Sequence, residues 1–475
     1  MAASIAPSTA VRRMDRRMDG PRRPTATSTF GVGRRESHDA REFYARFTAP
    51  AVSTDDTIAP APIVDELFCT DAREMAKVDD NSVALVVTSP PYFAGKEYEA
   101  VLGEGHVPAT YVEYLELLHD TFAECVRVLE PGGRIAVNVA NLGRKPYRSL
   151  SSDVIGILQD RLGLLLRGEI IWQKAQGAGG SCAWGSFRSP ANPVLRDLTE
   201  RVIVASKGRF DRAVSKAKRA KSDLPAEATI TRDGFMEATT DVWEIAPERA
   251  TRVGHPAPFP VELPQRLIEL YTYRGDVVLD PFMGVGTTAV AALRTDRRYI
   301  GYEIDRGYLE ASVTRIAAER TRLASAGSGS GASVPAVQEA IDRGDGAVGA
   351  ARALLQSAGF DNLAEGGKAI AGVTPDITAS DPRGRRWFFL VAGGLTTPAT
   401  GLRRSEVLWR SLGRASALAT SGDPVGLVTT DLPPRGSAGD NALRAVTGQS
   451  VHALVLLTAP DADAQLRGAA RGGVE

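Results

Sequence analysis

The residues with the clearest chemical potential are Ser89, Pro90, Pro91 and Tyr92, which directly follow an apolar run at 83–87. The run reads as a buried strand, and open α/β sheets bind ligands at the carboxyl ends of strands. Because proline restricts its own φ and the preceding residue, the Ser89 hydroxyl and the Pro90 carbonyl form a preorganised pair beside an aromatic ring. This arrangement suits a planar heterocycle with an amino group, although an incidental Pro-Pro turn would look the same.

A second segment, residues 275–288, reads as a strand, a glycine-containing turn and the start of a helix. Glycines let backbone approach a ligand closely, as in nucleotide-binding turns, but they also serve helix packing. Glu303 ends a further predicted strand about 20 residues after the turn, where an acid can bind ribose hydroxyls. The candidate binding residues in this region are Asp280, Pro281, Phe282, Gly284, Gly286, Thr287 and Glu303.

Together, Thr-Ser-Pro-Pro-Tyr (88–92) and Asp-Pro-Phe-x-Gly-x-Gly-Thr-Thr (280–288) resemble the β class of amino-group DNA methyltransferases, where the catalytic motif precedes the cofactor motif. The resemblance implies S-adenosylmethionine as the cofactor, and it covers roughly residues 30–320. It assigns catalysis to Ser89 through Tyr92 and cofactor binding to the glycine turn, to Glu303 and to Asp71, which would lie near the adenine. The motif order argues against free-amine and protein-glutamine methyltransferases.

In the resembled family, serine before Pro-Pro-Tyr mostly accompanies cytosine N4 as the target, and aspartate or asparagine accompanies adenine N6. The resemblance therefore implies an N4-cytosine methyltransferase acting on flipped bases of double-stranded DNA, for restriction-modification or marking of host DNA. Adenine N6 is the alternative target. A catalytically silent DNA-binding or assembly module is a third possibility, against which Ser89, Tyr92, Asp280 and Glu303 count.

Composition sets wider limits. The 475 residues contain 57 Lys+Arg and 57 Asp+Glu, so DNA binding requires a local basic patch rather than the net charge. Three cysteines and five histidines show no metal-ligand spacing, so we expect neither a disulfide framework nor a metal. No stretch is long and apolar enough for a membrane span, which predicts a soluble cytoplasmic protein, with a cognate restriction endonuclease as a possible partner.

The chain divides into four predicted parts. Residues 1–36 form an Arg/Pro-rich tail whose composition predicts disorder, and residues 37–323 form the methyltransferase domain. A Gly/Ser linker at 324–335 predicts few contacts across the boundary to a separate domain at 336–475. The predicted fold class is α/β: a Rossmann-like sheet of the S-adenosylmethionine-dependent methyltransferases, plus a smaller C-terminal α/β domain.

Residues 207–250 occupy the interval that holds the target-recognition region in the resembled family. The first part of this interval is strongly basic, which suits contacts with DNA phosphates, although a solvated loop is the simpler alternative. The predicted DNA-binding residues are Lys207, Arg209, Arg212, Lys216, Lys218, Arg219 and Lys221. Phosphate contacts do not identify bases, so the recognition sequence stays undetermined.

The C-terminal domain centres on two strand-like segments, 376–381 and 387–393, joined by a Pro382/Gly384 turn. This hairpin resembles the core of restriction-endonuclease-like domains, in which an aspartate and an acid-x-lysine bind metal and activate water. Here Leu390 and Ala392 stand where the acid and the lysine would be. Asp376 alone cannot organise Mg²⁺, so we expect a nuclease-like fold without nuclease chemistry, used for DNA contact or assembly.

Overall fold

The computed structural model describes residues 51–91, 108, 110–141, 147–174, 195, 197–222, 224–248, 259–329, 334–395 and 401–471, without the side chains of 325–329. All of them belong to one compact unit, residues 50–475. The predicted N-terminal tail and Tyr92 lie outside the described residues.

The strands of the first sheet are β1 (Glu66–Phe68), β2 (Val83–Thr88), β3 (Leu129–Val139), β4 (Leu165–Gln173), β5 (Thr199–Ser206), β6 (Val242–Glu244), β7 (Val277–Asp280) and β8 (Arg298–Tyr302). Those of the second sheet are β9 (Asp361–Glu365), β10 (Ile377–Ser380), β11 (Arg386–Ala392), β12 (Val425–Thr429) and β13 (Ala453–Leu456).

The helices before residue 300 are α1 (Tyr111–Val128), α2 (Leu150–Ile155, followed by a π-helical segment at Gly156–Arg161), α3 (Lys216–Lys221), α4 (Arg232–Ala238), α5 (Glu262–Tyr271) and α6 (Thr287–Arg294). The later helices are α7 (Arg306–Gly329), α8 (Pro335–Asp342), α9 (Ala347–Ser357), α10 (Ser405–Ala419), α11 (Ala438–Val446) and α12 (Ala462–Ala470).

The first sheet has eight strands among the described residues, in the order β1-β8-β7-β2-β3-β5-β4-β6. Neighbours from β1 to β3 are parallel, whereas β5 is antiparallel to both β3 and β4. Strand β2 is buried along its whole length, as its continuous apolar run predicts, because apolar clusters cover both faces of the sheet. The predicted α/β fold class is confirmed.

Helix α1 shows why the chain folds locally as its pattern predicts. Thr110 and Glu113 form a reciprocal capping box at its start, and Tyr114, Leu118 and Phe122 lie buried on one face. The Pro131-Gly132-Gly133 segment follows this helix. It is part of β3, which begins directly after the helix.

The second sheet has the order β13-β12-β11-β10-β9, again among the described residues. The hairpin predicted around Pro382 and Gly384 is confirmed, since Ile377 pairs with Phe389 and Ser380 with Arg386 in antiparallel register. Strands β11, β12 and β13 are parallel, and separate apolar clusters cover the two faces. A second, smaller α/β domain is therefore present.

The boundary between the domains differs from the expected flexible linker. Helix α7 continues to Gly329 instead of ending at Leu323. Direct hydrogen bonds also connect the two domains. The Ala347 amide donates to Asp233 at 2.5 Å, and Arg404 NH2 donates to Glu262 Oε1 at 3.0 Å. These two hydrogen bonds join residues that are distant in sequence, and the expectation of few contacts across the boundary stays a prediction.

Asp233 caps helix α9 from the other domain. A Cβ atom at Gly346, the residue before α9, would overlap the Asp233 carboxylate, so glycine allows the close approach. Since α4 carries Asp233, the C-terminal domain lies against the interval predicted to recognise DNA. None of the helices described is long and apolar enough to cross a membrane.

Candidate active site

The carboxyl ends of four neighbouring strands bring the predicted site residues to one edge of the first sheet. Asp71 follows β1, Glu303 follows β8, Asp280 ends β7 and Ser89 follows β2. Because these strands are parallel and adjacent, the two sequence motifs meet in space although almost 200 residues separate them along the chain.

Asp280 joins the two motifs. Its Oδ1 atom accepts a hydrogen bond from Thr88 Oγ1 at 2.7 Å and from the Phe282 amide at 3.0 Å, while its Oδ2 atom accepts from Thr288 Oγ1 at 2.6 Å. Burial raises the pKa of Asp280 to about 6, against the effect of these three donors. The carboxylate therefore ties the end of β2 to the glycine turn and to helix α6.

Glu303 holds the glycine turn from the neighbouring strand. Its Oε2 atom accepts from the Gly284 amide at 2.8 Å and its Oε1 atom from the Asp305 amide at 2.9 Å. Burial raises the pKa of Glu303, and the charges of Asp305 and Asp280 raise it further. Among the described residues no cation forms an ion pair with Glu303 or Asp280.

Gly284 and Gly286 have different structural roles in the turn. Gly284 (φ 53°) and Gly286 (φ 81°) are both left-handed, and Gly284 lies beside Glu303. At Gly286 a Cβ atom would lie 2.9 Å from Ser312 Oγ, so this glycine allows helix α7 to pack on the turn. Thr287 is buried and accepts from Arg315 NH1 at 2.9 Å. The helix-packing alternative thus applies to Gly286.

Other predicted cofactor residues surround this turn. Pro281 is buried and Phe282 is half-buried against the apolar cluster on one face of the sheet. Asp71 accepts from the Arg73 amide at 2.8 Å and from Arg73 NH2 at 2.6 Å. This bond raises the pKa of Arg73, so the carboxylate at the end of β1 is an ion-pair partner.

The predicted catalytic segment begins as expected at the end of β2, with Pro90 buried and Pro91 half-buried. Ser89 Oγ accepts from Asn138 Nδ2 at 3.4 Å. The sequence analysis missed Thr88, Thr288 and Asn138. Their positions in the sequence could have identified them. Thr88 begins the first motif, and Asn138 is a polar residue near the end of the apolar strand next to β2.

The buried ion network of Arg212 and Arg219 corrects part of the predicted DNA surface. Arg212 donates to Asp276 Oδ2 at 3.1 Å and also to Glu130, and Arg219 NH2 donates to Asp276 Oδ1 at 2.8 Å. Both guanidinium groups lie over the Tyr273 ring. Their side chains are only 10% and 2% exposed, so they stabilise the fold and are not accessible to DNA phosphates.

Lys207 and Arg209 are also used within the protein. Lys207 Nζ donates to Asn81 Oδ1 at 2.7 Å and to the carbonyls of Arg127 and Leu129, and burial lowers its pKa. Arg209 NH1 donates to two backbone carbonyls. Of the predicted DNA-binding residues, the three that remain exposed are Lys216, Lys218 and Lys221, all on helix α3.

In the C-terminal domain, Asp376 pairs with an arginine. Its Oδ1 atom accepts from Arg414 NH2 at 2.8 Å, and its Oδ2 atom accepts from the Val391 amide at 2.8 Å. Leu390 and Ala392 are buried in the apolar cluster beside β11. Within the described ranges, no group of three or more His, Cys, Asp or Glu residues is arranged to hold a metal ion.

Comparison with known proteins identifies the first domain. The N6/N4 DNA methylase family model matches residues 83–314. The type II methyltransferase M.BglI of Bacillus subtilis is 30% identical over 298 residues, covering 51% of this chain and 82% of that protein. The type II methyltransferase M.MjaI of Methanocaldococcus jannaschii is 29% identical over 286 residues, covering 53% of this chain and 91% of that protein.

A solved structure from Thermus thermophilus, described as a DNA modification methylase, is 31% identical and covers 53% of this chain and 94% of that chain. The TM-score between the two structures is 0.41. The residues matched by the family model include both motifs that meet at the edge of the first sheet. The chain belongs to the DNA methylase family that includes these type II methyltransferases.

Proposed function

We propose that the protein transfers the methyl group of S-adenosylmethionine to the exocyclic N4 of cytosine in double-stranded DNA, as the modification enzyme of a restriction-modification system. The relatives' type II methyltransferase names support a role in restriction-modification. Serine at position 89 supports cytosine over adenine, because the resembled families mostly pair this residue with cytosine N4. Adenine N6 is the alternative target.

The observation that carries this proposal is the hydrogen bond between Thr88 and Asp280. It connects the residue before Ser89 to the residue before the glycine turn, so a group held by the turn lies next to a base held by Ser89. Methyl transfer needs this closeness, because alignment of donor and acceptor supplies much of the rate enhancement.

The charges at the site fit S-adenosylmethionine, which carries a positive sulfonium and a positive ammonium group. Glu303 and Asp280 are buried carboxylates without a cationic partner among the described residues, and a bound cation would stabilise their ionised forms. Glu303 and Asp71 at neighbouring strand ends, with the Gly284 backbone, are the residues proposed to hold the cofactor. When bound, the cofactor supplies an electrophilic methyl group.

The Ser89 hydroxyl and the Pro90 carbonyl would orient the amino group of the base. The lone pair of that amine is delocalised into the ring, which makes the amine a poor nucleophile. Hydrogen bonds from the amine to Ser89 Oγ and the Pro90 oxygen would turn the lone pair toward the methyl group and stabilise the developing positive charge. Direct attack in this geometry needs no covalent intermediate with the protein.

The target base must leave the duplex before it reaches Ser89, at a cost of a few kcal/mol in lost stacking. Tyr92 is proposed to offset this cost by stacking on the base. The exposed lysines of α3 are proposed to contact DNA phosphates, and these contacts would position the duplex without reading its sequence.

The C-terminal domain is proposed to serve DNA contact or assembly without cutting DNA. The ion pair between Asp376 and Arg414 supports this role, because a guanidinium already occupies the carboxylate that a metal would need. The apolar side chains of Leu390 and Ala392 offer neither a ligand nor a general base.

The proposal is tested by incubating the purified protein with unmethylated duplex DNA and isotopically labelled S-adenosylmethionine, followed by nucleoside mass spectrometry. We expect labelled N4-methylcytosine. Labelled N6-methyladenine would move the target to adenine and refute the cytosine assignment. The absence of any methylated nucleoside, across DNA of varied sequence, would refute the methyltransferase proposal and leave a DNA-binding module as the better account.

A further inference from the structure

A chain of polar side chains continues from Ser89 away from the cofactor edge. Asn138 on β3 donates from Nδ2 to Ser89 Oγ at 3.4 Å and to Glu200 Oε2 at 2.6 Å. Glu200 lies on β5, and its Oε1 atom accepts from Lys174 Nζ at 3.0 Å at the end of β4. Three consecutive strands, β3, β5 and β4, therefore align behind the proposed catalytic serine.

The carboxylate of Glu200 determines which way the Asn138 amide points. An ionised carboxylate only accepts hydrogen bonds, so the amide atom 2.6 Å from Glu200 must be the NH2 group. The same nitrogen then directs its second hydrogen toward Ser89 Oγ. If the amide were reversed, its oxygen would face the carboxylate oxygen and both atoms would be acceptors.

Glu200 forms an ion pair with Lys174, in which Nζ lies 3.0 Å from Oε1. Glu200 is 8% exposed and Asn138 is 2% exposed, so neither side chain is free to exchange its partners for bulk water. The Lys174 side chain, 25% exposed, supplies the countercharge from the rim of the buried cluster. The orientation of the amide is therefore set by a charge two side chains away from Ser89.

We propose that Asn138 is a positioning residue for methyl transfer, whose amide NH2 group, oriented by Glu200 and Lys174, holds the Ser89 hydroxyl in its reactive orientation. The inference rests on the proposed function of Ser89. Ser89 Oγ accepts the Asn138 hydrogen bond with one lone pair, which restrains the direction of the hydroxyl relative to the amino group of the base. The 3.4 Å separation is long for a hydrogen bond, and catalytic hydrogen bonds commonly tighten only in the complex with substrate.

The decisive variant is Glu200→Gln, which preserves size but adds a donor. With Lys174 present, the introduced amide turns its oxygen to the ammonium group and its NH2 group to Asn138, so the Asn138 amide reverses and presents oxygen to Ser89. We expect kcat to fall about 10-fold or more, which is less than the about 10²–10³-fold loss for removing a direct contact to the transition state. The KM for DNA and the affinity for S-adenosylmethionine should change little.

The double variant Glu200→Gln/Lys174→Met separates positioning from general damage. Without the ammonium group, the introduced glutamine is free to present its oxygen to Asn138, so the original amide orientation and most of the lost kcat should return. If the double variant is as slow as Glu200→Gln or slower, with thermal stability retained in both, amide orientation is not the cause and the proposal is overturned.

A second measurement does not depend on methyl transfer. In full-length protein labelled with isotopic asparagine, the side-chain amide resonances of Asn138, assigned with Asn138→Asp, should shift in Ser89→Ala and in Glu200→Gln. Asn441→Asp, at an exposed position of α11, serves as the matched control. An inactive wild-type protein with these shifts would refute the proposed function alone, whereas unmoved resonances in Ser89→Ala would refute the hydrogen bond itself.

Discussion

Each of the two sheets carries an aspartate at a position where the sequence suggests a functional site: Asp280 in the first sheet and Asp376 in the second. The surroundings of these two carboxylates are opposite. Asp280 is fully enclosed, accepts from two threonine hydroxyls and one amide, and has no cationic partner among the described residues. Asp376 is partly exposed, with 23% of its side chain accessible, and is neutralised by Arg414. One carboxylate is available to respond to a charged ligand nearby, and the other is already compensated.

This contrast explains why similar residues imply different functions. In the first sheet, polar side chains from several parallel strands converge on one edge, so each can act on the same ligand. In the second sheet, the positions beside Asp376 carry Leu390 and Ala392, which are buried in the core. Function follows from the neighbours that the fold supplies to a carboxylate, and not from the carboxylate itself.

The largest effect should come from Ser89→Ala. Removing the hydroxyl that orients the amino group of the base should lower methyl transfer by about 10²–10³-fold and leave S-adenosylmethionine binding nearly intact. Turnover of labelled cofactor and calorimetric titration measure the two quantities. Ser357→Ala, at an exposed position of α9, is the control. If Ser89→Ala turns over the cofactor as fast as the wild type, the proposed role of Ser89 in methyl transfer is wrong.

A pH dependence should distinguish Asp280 from an ordinary aspartate. The pKa of Asp280 in the folded protein is about 6, above the ordinary 3.8, so the folded state binds this proton more tightly than the unfolded state does. Its contribution to stability is therefore greatest below about pH 4 and is lost as pH rises through about 6, by up to about 3 kcal/mol.

Asp280→Asn lacks this titration. The difference in unfolding free energy between wild type and Asp280→Asn, measured by denaturant titration, should become less favourable to the wild type between pH 4 and 6. A difference that is constant over this range would show that Asp280 is not destabilised by burial.

Glu303→Gln should weaken cofactor binding by about 10-fold or more, equivalent to about 1.4 kcal/mol. The substitution removes the negative charge, and its NH2 group cannot accept from the Gly284 or Asp305 amide in place of an oxygen. Calorimetric titration with S-adenosylmethionine measures the loss, with the exposed Glu365→Gln as control. Equal affinities in the two variants would contradict the assigned cofactor site.

Asp233→Ala tests the contact between the two regions. It removes the cap of α9 and should cost about 1 kcal/mol of stability. A lowered Tm in the full chain, absent from the exposed Asp241→Ala control, would support docking of the domains. If truncation near residue 326 also abolishes the effect of Asp233→Ala, the cap is confirmed as the cause, whereas persistence of the effect after truncation would point to local damage in α4.

The smallest expected effect is in the C-terminal domain. The full-length protein should not cleave DNA with Mg²⁺ or Mn²⁺, and Asp376→Ala should leave the rate of methyl transfer unchanged. Gel analysis of plasmid DNA and the labelled-cofactor assay measure these outcomes. If the protein cleaves DNA with a metal ion and Asp376→Ala abolishes this cleavage, Asp376 is a catalytic residue and the expected lack of nuclease activity is wrong.

Local pattern was sufficient for most elements. The apolar run before Thr88 predicted β2, and the turn at Pro382 predicted the hairpin of the second sheet. These signals depend on neighbours within one or two turns of chain, so the sequence carries them without tertiary context. The resemblance of the two motifs to the methyltransferase family also implied that Ser89 and Glu303 belong to one site.

Only the tertiary structure decided which polar residues act together. Arg212, Lys216, Lys218 and Arg219 are all basic residues of one short segment, so the sequence does not distinguish their roles. In the fold, the two arginines are buried against acidic side chains from distant parts of the chain, whereas the two lysines are exposed to solvent. Thr88 reaches Asp280, and Asn138 reaches Ser89 and Glu200, through pairing of strands far apart in the chain. Charge and hydrogen-bonding capacity are properties of a residue, but burial and partners are properties of the packed fold, because burial decides whether water or protein satisfies each polar group.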